Sequence, residues 1–301
     1  MKKKLLLALL TSAMLLLAAC GGEQSADGGE VFEFGAQSYT DPKIAAQMVK
    51  ILVEENTDHE VNITEDIQAS PQILASIDRE EFDFAMLYSG EVYNNHFDDV
   101  EYSTNSEKTI ENAQNLFGEE YDITWFDSIG FKNEYAIAIQ GQLQDNEGIE
   151  TISDLELLAG DLRLGTDTSW VERDNDGYRG FQDAYGFEFG DVRAMEVSLM
   201  YEGIKNDELD VVTAYTVDPQ IAEYDLRILE DDAEFFPPYD ASLVARNEVL
   251  DNYPEVKEIF DNLVGTVSTE QMSQLILEVD LNGRPTEEVA REFLENEGLL
   301  N

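Results

Sequence analysis

The chain has 301 residues, 43% of them hydrophobic, enough for one large or two medium domains with a packed core. Acidic residues outnumber basic ones 65 to 18, for a formal net charge of −47. This excludes nucleic acid as a partner, because binding it needs a basic surface that displaces counterions. The acids run through every segment rather than forming a tail, which suits a surface solvated in high salt, where self-repulsion is screened.

In chain order, Lys2-Lys3-Lys4 form a positive start, and Leu5 to Leu17 an apolar stretch too short to span a bilayer. The stretch closes on Leu17-Ala18-Ala19-Cys20-Gly21-Gly22, small residues before the single cysteine, which resembles the lipobox of bacterial lipoproteins. The resemblance implies a signal peptide over 1–19 and a lipid on Cys20. It also implies a mature chain held on the extracellular face of the cell membrane. One acyl chain binds membranes only reversibly, so stable anchoring calls for more than one. Residues 20–30 are Gly-rich and polar and read as a tether.

Order is expected from Val31-Phe32-Glu33-Phe34, an alternating strand. A helix follows, with Thr40 or Asp41 as cap, Pro42 in its first turn, and Ile44, Met48, Ile51 and Leu52 on one face. A short strand at Val61–Ile63, a helix over 71–80 and a strand over 82–88 complete a βαβαβ opening, which implies a parallel sheet. A polar stretch from Asp99 leads into a helix ending near Tyr121, then strands at Thr124–Asp127 and Tyr135–Gln140. Asp127-Ser128-Ile129-Gly130 reads as a turn between two lobes. Beyond it the pattern predicts a short helix from Ser153, a strand at 162–166, a helix at 177–185, a strand at 192–197 and a helix at 199–206. The apolar strand Leu209 to Tyr215 follows. Strands at 226–229 and 241–245 and helices near 254–264, 268–278 and 285–297 complete the chain. The expected fold is α/β, with two lobes of the periplasmic-binding-protein type (type II, a venus flytrap) hinged about a ligand cleft. Lobe I takes 31–129 and 220–301, and lobe II takes 130–219.

No catalytic or metal signature stands out. His59 and His96 sit in unrelated polar contexts, and there is no nucleophile elbow, phosphate loop, Cys/His zinc spacing or EF-hand loop. Pairs such as Asp167 with Glu172, or Asp174 with Asp176, are expected by chance among 65 acids. Neither a cofactor nor a metal is called for. Tyrosines at strand ends carry more information: Tyr88 and Tyr215 each close an apolar β-branched or aromatic run, Tyr135 opens one, and Tyr239 follows Phe235-Phe236-Pro237-Pro238. In open α/β sheets ligands bind beyond the strand ends, and aromatic faces hold quaternary ammonium groups that make no hydrogen bonds. These four rings are expected to meet around a cation.

Eight stretches together are similar to the substrate-binding lipoproteins of osmoprotectant ABC importers, the glycine betaine/carnitine/choline family. They are Gly35-Ala36-Gln37-Ser38-Tyr39-Thr40, Tyr88-Ser89-Gly90, Trp125-Phe126-Asp127-Ser128, Asn133-Glu134-Tyr135-Ala136, Asp176-Gly177-Tyr178-Arg179-Gly180-Phe181, Tyr185-Gly186-Phe187-Glu188-Phe189-Gly190, Ala214-Tyr215-Thr216 and Phe235-Phe236-Pro237-Pro238-Tyr239-Asp240. The resemblance implies a non-enzymatic, monomeric receptor that closes on a trimethylammonium osmolyte and delivers it to a permease driven by an ATPase. It places the cage on Tyr88, Tyr135, Tyr215 and Tyr239 and a cleft-lining glutamine on Gln37, with Thr216 beside Tyr215. Trp125, Trp170 and Tyr178 are packing or rim residues in this reading. Glu91 departs from the pattern, standing where the family commonly has threonine. An ionised Glu91 facing the cleft repels a ligand carboxylate and accepts from a hydroxyl, which favours choline over glycine betaine or carnitine; a Glu91 turned to solvent leaves broad binding that includes betaine. The alternatives are a receptor for another small solute such as an amino acid, with Arg163 or Arg179 pairing its carboxylate; a hydrolase of choline esters; and an osmosensor or adhesion domain.

Overall fold

A computed structural model describes residues 29–93, 96–97, 100–173 and 176–300. The expected signal peptide, Cys20 and nearly all of the tether lie outside them. The strands among these residues are β1 (Val31–Gln37), β2 (Glu60–Ile67), β3 (Phe84–Tyr88), β4 (Ile123–Lys132), β5 (Tyr135–Gln140), β6 (Arg163–Thr166), β7 (Asp191–Ala194), β8 (Val211–Tyr215), β9 (Leu226–Ile228) and β10 (Asp240–Arg246). They form two five-stranded sheets, ordered β2-β1-β3-β10-β4 and β7-β6-β8-β5-β9.

In the first sheet β1 pairs in parallel with β2 and β3, as a βαβαβ unit requires. β10 lies antiparallel between β3 and β4. The helix Thr40–Asn56 connects β1 to β2. Its Ile44, Ala45, Met48, Val49, Ile51 and Leu52 are all buried, between the sheet and the carboxyl-terminal helices Pro254–Leu263, Thr269–Asp280 and Thr286–Asn296. A helix apolar over so wide an arc is covered on more than one side. Two features fit its start: Pro42, whose missing N–H has no partner to lose there, and Asp41 at the positive end of the dipole. The helix Thr269–Asp280 begins with a full capping box between Ser268 and Gln271.

The second sheet carries an aromatic core. Phe181 stands within 6 Å of Trp170, Phe189 and Phe235 between ring centroids. Trp170 has no solvent exposure. Phe235 and Phe236 belong to this core, whereas Tyr239 packs with the first.

Four expectations need correction. The cap of the helix Thr40–Asn56 is neither Thr40 nor Asp41: the cap position falls on Tyr39, whose side chain makes no capping bond. The run Asp127–Gly130 is not a turn: β4 continues through it to Lys132, paired with β10 across two register shifts. Its turn-like composition reflects an irregularity within a strand, where Gly130 has φ +119° and a Cβ would meet the Val267 carbonyl at 2.8 Å. The first crossing between sheets therefore falls at Asn133–Glu134, past the expected boundary of 130. The return does not fall at 220 either, because β9 pairs antiparallel with β5 in the second sheet. A three-residue strand carries no sequence mark of which sheet it joins. The chain crosses back through Pro237 and Pro238, two residues with fixed φ and no N–H to leave unpaired.

Candidate functional site

The strand ends of the two sheets face each other across a cavity of about 570 Å³. Tyr88, Tyr135, Tyr215 and Tyr239 all line it, with Gln37 and Glu91. Strand register explains why. Antiparallel pairing of β5 with β8 sets Tyr135 opposite Tyr215, and cross-strand partners on one face are near neighbours. Their ring centroids are 4.7 Å apart, and the Tyr215 hydroxyl donates to that of Tyr135 at 2.9 Å. In the other lobe, β3 ends at Tyr88 opposite Ala241 of β10, so Tyr239, two residues earlier, reaches the same end. Ser89 fixes this corner, its Oγ donating to the Pro238 carbonyl at 3.3 Å and accepting from the Asp240 N–H at 3.1 Å. Gly90 is needed beside it, because a Cβ there would sit 2.7 Å from the Pro238 carbonyl and 2.8 Å from the Tyr239 ring.

The walls of the cavity are acidic. Asp41, Glu91, Asp218 and Asp280 line it, and among the described lining residues Arg173 is the one base. Arg173 pairs with Asp176 at 2.8 Å and donates to the Tyr239 hydroxyl. Its guanidinium lies 5.5 Å from the Tyr135 centroid and 5.6 Å from that of Tyr239, so a cation already rests on two of the four rings.

Glu91 follows β3 in a single 3-10 turn, is 5% exposed and faces the cleft. Burial pushes its carboxyl up to about 7, although Ser70, Gln37 and Arg173 act in the opposite direction. Glu91 Oε2 and Gln37 Nε2 are both fully buried without a hydrogen-bond partner of good geometry, although the two residues line the cleft side by side and Gln37 acts on the Glu91 carboxyl. Burial also raises Asp41 to about 6, against hydrogen bonds from Tyr88 and Asn133. Asp218 rises to about 6 for the same reason, opposed by the Tyr201 hydroxyl and the Tyr215 N–H. The hydroxyls of Tyr88 and Tyr215 are raised well above the ordinary tyrosine value, chiefly by burial, and stay protonated.

Thr216 is not at the cavity wall. Its Oγ1 donates to the Lys132 carbonyl at 2.9 Å and accepts from the Glu134 N–H at 3.1 Å, clasping the first crossing segment. Neither arginine considered for an α-carboxylate lines the cavity; Arg163 is held by Asp210 at 2.7 Å. Sequence reasoning missed Arg173, Asp41, Asn133, Asp218 and Tyr39. Tyr39 precedes the helix Thr40–Asn56, and its ring reaches across the cleft to within 6.5 Å of Tyr215. Trp170 lies in the second core rather than at the rim.

Among the described residues, no group of three or more His, Cys, Asp or Glu is arranged to hold a metal, and no helix is long and apolar enough to cross a membrane. Residues 32–296 match the family described as the substrate binding domain of ABC-type glycine betaine transport systems. The carnitine transport binding protein OpuCC of Listeria monocytogenes is 34% identical over 267 residues, covering 88% of this chain and 86% of the relative. A glycine-betaine-binding protein of Pseudomonas aeruginosa is 27% identical over 288 residues, covering 90% and 89%. The crystal structure of a glycine betaine/carnitine/choline ABC transporter protein superposes with a TM-score of 0.83 at 33% identity, covering 91% of this chain and all of the other.

Proposed function

The chain belongs to the family of substrate-binding domains of ABC-type glycine betaine transport systems, and from that premise we propose that it captures a quaternary ammonium osmolyte, choline in preference to glycine betaine or carnitine. The single observation that carries this reading is the lining of the cleft. Six tyrosines, among them Tyr88, Tyr135, Tyr215 and Tyr239, line a cavity whose described walls hold four carboxylates and one arginine already paired with Asp176. Such a site attracts a cation and offers a ligand carboxylate little. The rings supply on the order of 0.5–2 kcal/mol each, enough together for micromolar binding. The carboxylate of Glu91, part of the cleft lining, accepts from the choline hydroxyl and repels a carboxylate.

The receptor acts as a monomer and does no chemistry on its ligand. The two lobes close about the crossing segments at 133–134 and 237–238, and the closed form hands the ligand to a permease driven by an ATPase. It is tethered to the extracellular face of the membrane by lipid on Cys20. High salt leaves the short-range cage contacts intact while screening the long-range pull of the acidic surface, which fits a receptor working in brine.

The test is competition by the bare head group. Tetramethylammonium is expected to displace choline with a Kd within about tenfold of choline's, since the rings contact only the trimethylammonium end. Failure to compete at any concentration where the protein stays folded contradicts the cage.

The buried carboxyls also set a pH dependence. Glu91, Asp41 and Asp218 are raised above the ordinary carboxylate range, so the ligand-free folded protein holds protons that the unfolded chain releases. The stability they confer is complete below about pH 4 and lost as pH rises through 6 to 7. Acidification from pH 8 to 5 at constant salt is expected to raise the Tm of the ligand-free protein by roughly 5 °C. Choline affinity is expected to fall about tenfold over the same interval as the carboxylates facing the cation are neutralised. Calorimetric melts and titrations check both; a Tm that falls together with affinity contradicts the assignment.

A further inference from the structure

The helix Thr40–Asn56 points its amino-terminal end at the cleft. Unpaired N–H groups and the aligned dipole give such an end about half a positive charge, which is the wrong sign for a cationic ligand. Asp41 lies in the first turn of this helix, lines the cavity and is 2% exposed. Its Oδ2 accepts from the hydroxyl of Tyr88 and from Asn133 Nδ2 at 3.0 Å. Asn133 sits in the first crossing segment between the lobes, its backbone N–H donating to the Tyr239 carbonyl at 3.0 Å. One carboxylate thus touches a ring of the cage and the side chain of a hinge residue.

No arginine, lysine or histidine is bonded to Asp41 among the described residues. The charged groups that act on it are themselves acidic: Asp280, which accepts from Thr40 Oγ1 at 2.7 Å, and Asp218 across the cleft. A buried carboxylate without a basic partner is costly unless something supplies the opposite charge. Here the helix end supplies part of it, and the cleft is open to a ligand that supplies the rest.

Resting on the reading of the cleft as a quaternary ammonium site, we infer that Asp41 is the fixed counter-charge of the cage. It is a positioning residue that cancels the positive helix end, holds Tyr88 by its hydroxyl, and makes a cation rather than a neutral group of the same shape the preferred occupant. A donor hydrogen bond to a carboxylate also leaves the Tyr88 ring richer in electrons, which strengthens its negative face.

The test compares choline with its uncharged carbon isostere, 3,3-dimethylbutan-1-ol, by fluorescence titration of the full mature chain in high salt. The wild-type protein is expected to prefer choline by about a hundredfold or more. Asp41→Asn is expected to weaken choline about tenfold or more and to change the isostere less than about threefold. Asp41→Ser, a second charge removal with a smaller polar side chain, repeats the test should the asparagine variant fold poorly. Asp41→Glu, which keeps the charge, is expected to retain most of the preference. Equal losses for both ligands in the Asn and Ser variants mean a purely structural role and overturn the inference while leaving the cage in place. A wild-type protein that binds the two ligands equally overturns the reading on which the inference rests.

Discussion

Replacing Glu91 with threonine is expected to turn a choline-selective receptor into one that also binds glycine betaine. The carboxylate is buried at the cleft wall. Two unit charges about 4 Å apart interact by roughly 4 kcal/mol at the effective dielectric of a partly buried site. Removing that repulsion, and supplying a hydroxyl that can donate to a carboxylate, is expected to tighten glycine betaine by about two orders of magnitude. Choline loses a charge-assisted hydrogen bond worth about 1.5–3 kcal/mol, a tenfold or greater weakening. The ratio of the two affinities therefore swings by about a thousandfold, which calorimetric titration of both ligands against both proteins measures. The variant is also expected to be more stable above pH 7 than the parent, since a carboxyl pushed up to about 7 by burial costs stability once ionised. An unchanged ratio means Glu91 does not select the ligand.

The second large effect is expected from the facing pair in the other lobe. Tyr135 and Tyr215 pack with centroids 4.7 Å apart, tilted by 35°, with their hydroxyls bonded, a geometry set by direct cross-strand register. Tyr215→Ala removes one cation-binding face and the contact that Tyr39 makes across the cleft. The loss is about 2 kcal/mol for a desolvated ring, near thirtyfold in Kd. Tyr215→Phe keeps the ring and gives up one hydroxyl bond, so its Kd is expected within about threefold of the parent. The contrast between the two variants separates ring from hydroxyl. If both lose affinity equally, the hydroxyl network rather than the aromatic face holds the ligand.

Much of this arrangement is written locally in the sequence, and the rest is not. Tyr88, Tyr135 and Tyr215 could be read as strand-end residues because β-branched and apolar runs lead directly to or from them, and period and length mark such runs as buried strands. That Tyr135 faces Tyr215 depends on the register of β5 against β8, which no short stretch encodes. Asp41 was legible as a helix-start acid, but its contact with Tyr88 spans 47 residues and exists only once the first sheet has formed. Arg173 follows the short helix Thr168–Glu172 and looks like any surface base. Its place over Tyr135 and Tyr239 comes from the approach of the two lobes. The crossing points were misplaced for a related reason. Gly130 has turn-like neighbours yet lies inside β4, and β9 is too short for its sequence to say which sheet it joins. Thr216, next to a cage tyrosine in sequence, lies in the turn just past the end of β8, and its hydroxyl serves the crossing segment through the Lys132 carbonyl and the Glu134 N–H.

The most direct measurement is a tyrosine and tryptophan fluorescence titration of the lipid-free mature protein with choline and with glycine betaine, in high salt. The account predicts saturable choline binding in the micromolar range and glycine betaine binding weaker by about two orders of magnitude. Equal binding of both would remove Glu91 as the selector while leaving the cage, and a folded protein that binds neither would contradict the account at its centre.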